Sequence, residues 1–205
     1  MRYAAVVVLT VALAMLGYAA GRSDGTCELT LKLVDSSTGR ELPGLLRIRD
    51  SDGAIIKPAE LLPRGLGLRD QLASYGGSIH DWIVLPKSTT VKLPRKPLII
   101  DAVAGLETEM TTARLDLTNL PTASETLSLL RFTDSASRGQ RSANTHLHLM
   151  KLRREDADRY LVEVPQADGL DMLFVSYLER AGADQVYITN SYTSDVLTRR
   201  EKQSG

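Results

Sequence analysis

Cysteine, histidine and net charge are all scarce in this chain. One cysteine, Cys27, stands among 205 residues, so an intramolecular disulfide is excluded. The 25 basic residues are matched by 25 acidic ones. Such a balance gives no footprint for nucleic acid and none for an acidic partner surface. No P-loop and no dinucleotide-type glycine fingerprint occurs, nor any internal repeat or low-complexity tract. The length suits one ordinary domain plus a partial second.

The longest apolar run lies at the start. Arg2 supplies a small positive region, residues 4–16 an apolar core, and Gly17, Ala19, Ala20 and Gly21 the small residues of a cleavage site. That is the pattern of a signal peptide over residues 1–21, cut after Ala19 or Gly21. Residues 3–20 are also close to the length of an uncleaved membrane anchor. A lipid-modified Cys27 is the third reading, disfavoured because Asp24-Gly25-Thr26 lacks an apolar, small lead-in. All three place the protein outside the cytoplasm, periplasmic or secreted. A membrane is a partner only if the segment stays uncleaved.

The stretch that follows reads as β-rich. Residues 28–34 alternate with period two, as a half-buried strand does. Residues 35–39 make a turn, 45–49 a second strand, and Asp52-Gly53 a hairpin turn into residues 54–56. Further strands are expected at 82–85, 90–93, 98–103, 107–117 and 125–132, a spacing that suggests a sandwich. Residues 58–77, rich in Gly, Leu and Pro, are expected to form a long loop with a helical turn near 59–62.

Two of the three histidines fall in Thr145-His146-Leu147-His148-Leu149. On a strand, side chains two apart share a face, so both imidazoles are expected on one side and Leu147 and Leu149 on the other. That spacing lets two nitrogens reach one metal ion at about 2.0–2.1 Å each. Ala157, Tyr160, Leu161 and Val164 then follow a helical stripe over residues 153–164, with Glu155 and Asp156 at its positive end and Pro165 as its stop. Asp168-Gly169 makes a turn, and residues 170–175 read as a strand buried on both faces. Strand, helix and strand within roughly 35 residues is a βαβ unit whose first strand carries the histidines.

Other polar groups have simpler readings. His80-Asp81, beside Trp82, reads as a polar turn leading into a strand. Glu107 and Glu109 share a strand face, which solvent explains as well as chemistry does. Tyr187, Asn190 and Tyr192 either line a cleft or cover a small sheet.

Two resemblances organise these pieces. Leu31-Lys32-Leu33-Val34-Asp35, Thr38-Gly39, Leu42-Pro43-Gly44, Arg47-Ile48 and Asp52-Gly53 resemble the opening of a carboxypeptidase-regulatory-like (transthyretin-like) β-sandwich, an accessory module that usually carries no chemistry. Ala143-Asn144-Thr145-His146-Leu147-His148-Leu149-Met150 is similar to the first metal motif of the PHP (polymerase and histidinol phosphatase) superfamily, closest to its secreted CehA/McbA-type branch of metal-dependent hydrolases. This resemblance implies His146 and His148 as ligands of a divalent metal, zinc, manganese or iron. The family's Thr-Asp-His segment after the next strand is replaced here by Ser176-Tyr177-Leu178-Glu179, which leaves Glu179 as a candidate substitute carboxylate.

The expected organisation is a signal peptide over 1–21, a mostly β sandwich (transthyretin-like/Ig-like) over 27–138, and an incomplete α/β (βαβ) fragment of a PHP-like barrel over 141–205. Roughly 60 residues are too few to close a barrel, so this last part reads as truncated and not catalytically competent alone. The implied function is part of a metal-dependent hydrolase acting on the ester, amide or phosphoester of a small-molecule substrate. The alternative is a non-catalytic exported β-sandwich module, used for binding or structure, with a degenerate tail.

Overall fold

The computed structural model describes residues 25–67, 78–147, 149, 152–175, 192 and 195. The signal-peptide segment, His148, Glu179, Tyr187 and Asn190 lie outside these residues. The described chain is mostly β, arranged in several sheets.

Alternation in the sequence becomes two faces in space. β1 (Thr26–Asp35) buries Cys27, Leu29, Leu31 and Leu33 and turns the residues between them outward. β6 (Thr89–Pro94) pairs with it antiparallel and β9 (Thr122–Leu129) pairs with it parallel, giving the order β6-β1-β9. A larger sheet has the order β4-β5-β2-β7-β8. Its strands are β2 (Gly44–Asp50), β4 (Leu62–Pro63), β5 (Ile83–Leu85), β7 (Pro97–Val103) and β8 (Thr111–Asp116). β3 (Ile55–Ile56) folds back on β2 through the expected Asp52-Gly53 turn, where Gly53 takes φ 84° at no steric cost.

The two sheets share one apolar core. Leu29, Leu31, Leu33, Val91, Leu93, Leu127 and Leu129 come from the first, and Leu46, Ile48, Ile83, Leu85, Leu98, Ile100 and Ala102 from the second. Among the described residues, this cluster contains none beyond Leu129. A second core lies on the outer face of the larger sheet. There Val84 and Leu62 meet Leu147, Leu149, Ala157, Tyr160, Val164, Ala167 and Tyr192, with Leu45 and Leu173 at the margin. All three residues of β5 are buried for this reason: Ile83 and Leu85 face one core and Val84 the other.

The second core is built by a βαβ unit, as the periodicity predicts. β10 (Ala143–Leu147) and β11 (Met172–Val175) run parallel, joined through helix α1 (Arg154–Ala167). Three sequence expectations need correction here and in the sandwich. Pro165 does not stop α1, which runs two residues further. The Pro165 ring removes one backbone bond, but the Asp168 N–H still reaches the Val164 carbonyl at 2.9 Å, and buried Ala167 anchors the last turn. The helix ends instead in a Schellman motif: the Leu170 N–H donates to Pro165 O (2.8 Å) and the Gly169 N–H to Gln166 O (3.1 Å), with Gly169 at φ 67°. β11 is not buried on both faces. Met172 and Phe174 are 45% and 54% exposed, because β11 pairs only with β10 among the described residues and α1 covers one side. The expected strand at 107–117 begins only at Thr111. Glu107 sits in a bend, and buried Thr108 instead bonds the Ala104 backbone through its hydroxyl.

The 58–77 segment also differs from expectation. Its start forms a turn closed by the Leu61 N–H on Pro58 O, not a helical turn, and leads into the short strand β4. Residues 68–77 lie outside the described part.

Candidate functional site

The histidine segment sits on β10, and a bulge shapes it. Ala143 and Asn144 pair with Met172 and Leu173, but Leu147 pairs with Val175, so Thr145 and His146 together face the single residue Phe174. The extra residue shifts the alternation: Thr145 and His146 are both exposed, while Leu147 and Leu149 are buried against α1. Bulges of this kind re-aim side chains beside functional sites. His146 thus lies on the open face, at the carboxyl end of the first strand of a parallel pair, where α/β folds gather their ligands. The His146 N–H donates to Asn144 Oδ1 at 3.0 Å, which steadies the bulge.

Donor chemistry is sparse around it. Among the described residues, no three or more His, Cys, Asp or Glu side chains converge as a metal site requires. An exposed imidazole fits one position of a divalent metal's ligand set; a catalytic set needs about three protein ligands. The second implied ligand, His148, and Glu179 lie outside the described residues.

Other sequence candidates fall into structural roles. Ser78 caps the short 3-10 turn Ile79–Asp81, accepting from the His80 N–H (3.1 Å) while the Asp81 carboxylate accepts from the Ser78 N–H (3.2 Å); this is the polar lead-in to β5 that the sequence predicts. Glu107 accepts from Arg131 Nη1 (2.8 Å) and from the Ser135 N–H (2.9 Å), and Ser135 and Arg131 hold its carboxyl below the usual range. Glu109 is exposed and its N–H bonds Leu130 O. The two carboxylates do not act as a pair. Tyr192 is buried on α1, its hydroxyl donating to Asp158 at 2.6 Å and its ring 3.8 Å beneath the Arg154 guanidinium.

Sequence reasoning missed the junction between the two cores. Arg64, just after β4, donates from Nε and Nη2 to the two oxygens of Asp168 (3.0 and 2.6 Å) and from Nη1 to the Tyr160 hydroxyl (2.7 Å). Both members of the ion pair are mostly buried. Burial alone would lower the Arg64 pKa, but Asp168 and Tyr160 outweigh it and hold the guanidinium firmly charged; burial raises the Tyr160 hydroxyl. Beside this clamp the Gly105 N–H donates to Ala167 O (3.0 Å), capping the carbonyl end of α1. Gly105 and Gly169 meet so closely that a Cβ on either would lie 3.1 Å from the other's Cα. Only the Asp168-Gly169 turn signal was available in the sequence; Arg64 lies 104 residues away.

No protein-family model and no curated protein matches this chain.

Proposed function

We propose that this chain belongs to an exported metal-dependent hydrolase of the PHP type, in which a carboxypeptidase-regulatory-like sandwich carries the βαβ unit that opens the catalytic domain. One observation carries the reading: His146 is turned by a bulge onto the open face at the carboxyl end of a parallel strand. His146 and His148 would hold the divalent metal, zinc, manganese or iron. When bound, such an ion supplies a water of lowered pKa and a Lewis acid for an ester, amide or phosphoester. The sandwich and helix α1 fix the strand that presents His146, and the buried Leu147 and Leu149 anchor that segment from behind.

Calorimetric titration of the purified chain with zinc and manganese tests this. Weak uptake is expected, lost in both His146→Ala and His148→Ala, with ester and phosphoester turnover near background. Uptake that survives in both variants refutes the assignment. Tight stoichiometric zinc with measurable esterase activity would refute the two-ligand account instead.

A second reading, a non-catalytic exported sandwich used for binding or structure, is favoured by a different observation: among the described residues, none past Leu129 enters the core between the sheets. Limited proteolysis of the whole chain separates the two. A protected fragment ending near Arg138 supports the module, and protection through Val175 supports a βαβ unit kept as a working part.

A further inference from the structure

The outer face of the larger sheet, beyond the part that α1 covers, carries an ordered grid of side chains. Leu46, Ile48, Leu98, Ile100 and Ala102 point into the core, so Arg47, Arg49, Ile99 and Asp101 point outward. The strand registers set Arg47, Asp101 and Thr112 in one cross-strand row, and Ile55, Arg49, Ile99 and Arg114 in the next. Trp82 extends the first row, its ring 5.0 Å from the Arg47 guanidinium.

The first row is internally satisfied. Asp101, 1% exposed, accepts from Arg47 Nη2 (2.8 Å) and Nε (3.0 Å) and from the Thr112 hydroxyl (2.7 Å). Burial pushes its carboxyl up, but Thr112, Arg47 and Arg49 prevail and keep it ionised. The second row is not. Arg49 leans across to the same Asp101 oxygen at 3.3 Å, and its own Nε–H is buried without an acceptor among the described residues. Arg114 is exposed and has no ion-pair partner among them. Arg47 and Arg49 therefore share one carboxylate, and Arg114 adds a third cation to that face without one; Asp116, next on that face of β8, is turned to the Thr118 N–H and hydroxyl.

We infer that the Arg49–Ile99–Arg114 row is a binding site for a carboxylate carried on an apolar body. Arg49 and Arg114 flank Ile99 across two strand spacings, about 10 Å between backbones, within reach of two long side chains closing on one oxyanion. Guanidinium forks match a planar carboxylate through paired N–H donors. Ile99 and Ile55 supply an apolar floor beside them, and Trp82 an aromatic wall one row away. Asp101 does not compete for the ligand: it is buried and committed, and it orients Arg47 and Arg49 from below. The site is separate from the β10 bulge and does not depend on the metal assignment.

Trp82 is the only tryptophan of the chain, so its fluorescence reports on Arg47 and the adjoining row. The full chain is titrated with hexanoate, with hexanamide as the uncharged counterpart, and with inorganic phosphate as the anion lacking an apolar body. A saturable change with hexanoate is expected, with no comparable response to the other two. Arg114→Gln, an exposed change that disturbs no bond of the Asp101 network, should weaken hexanoate roughly tenfold, with an unchanged circular dichroism spectrum. Arg49→Gln should do the same. The inference is overturned by no saturable response in the unaltered protein, by hexanamide or phosphate matching hexanoate, or by undiminished binding in Arg114→Gln.

Discussion

Replacing Arg64 with alanine should uncouple the βαβ unit from the sandwich while leaving the sandwich itself intact. The substitution removes both bonds to Asp168, the bond to the Tyr160 hydroxyl, and the guanidinium lying 5.7 Å from the Tyr160 ring. Asp168, mostly buried in the intact pair, would lose its cation. Breaking a buried ion pair from one side costs about 3 kcal/mol, because the remaining charge loses its compensation. The loss should fall on the local opening of β10, α1 and β11, since none of the removed contacts lies in the core between the sheets. About 3 kcal/mol raises an opening equilibrium roughly 150-fold. Native-state hydrogen exchange reads this directly. Amides of α1 should lose roughly two orders of magnitude of protection, while β1 and β9 amides that exchange only through global unfolding of the sandwich should hold theirs. An equal loss at both sets of amides would refute the separation, because the two cores would then open as one unit. No loss at α1 would refute the clamp.

Three further outcomes are expected. Gly169→Ala should destabilise the same docking by about 1–2 kcal/mol for the left-handed backbone alone, with more from the Cβ set 3.1 Å from Gly105 Cα; thermal melts of the variant beside Gly139→Ala, whose glycine is also left-handed but open around its Cβ, isolate the contact. The Asp35 carboxyl, lowered to about 2 by Ser37, Thr38 and Arg131, contributes stability that is present above its unfolded pKa near 3.9 and is lost as pH falls through about 2. Asp35→Asn should therefore flatten the fall in melting temperature between about pH 4 and 2, and an unchanged slope would sink that account. Tyr160→Phe should cost about 1.5 kcal/mol, the low end for one hydrogen bond to a charged donor, measured by denaturant midpoint; no change would show that the Arg64–Tyr160 bond carries nothing.

What the sequence discloses and what it hides divides by distance along the chain. Period-two alternation placed β1, and the strands expected at 45–49, 90–93 and 98–103 coincide with β2, β6 and β7. The one expected at 125–132 is found three residues earlier as β9, and the stripe of Ala157, Tyr160, Leu161 and Val164 placed α1 on its correct face. Leu147 and Leu149 turned inward, as the alternation predicts. Local signals misled where tertiary packing outweighed them. Pro165 reads as a stop, yet the burial of Val164 and Ala167 carries the helix past it. An apolar run reads as doubly buried, yet Met172 and Phe174 have only one packed side beneath them. Partnerships across the fold left no trace: nothing near Arg64 announces Asp168, and nothing near Arg47 or Arg49 announces Asp101. The β10 bulge is equally silent, because the sequence around His146 has no glycine or proline to mark it.

The parallel pairing of β1 with β9 has a mechanical meaning. Its register runs from Glu28 opposite Thr122 to Asp35 opposite Leu129. A pull that enters through the chain before Thr26 and leaves through the chain after Leu129 draws the two strands along their axes in opposite directions. The bonds between them lie crosswise to that load and share it, so they yield together and not one at a time. Tension applied that way meets the whole β1–β9 ladder at once, whereas the βαβ unit, which follows β9 in the chain, lies outside the loaded pair.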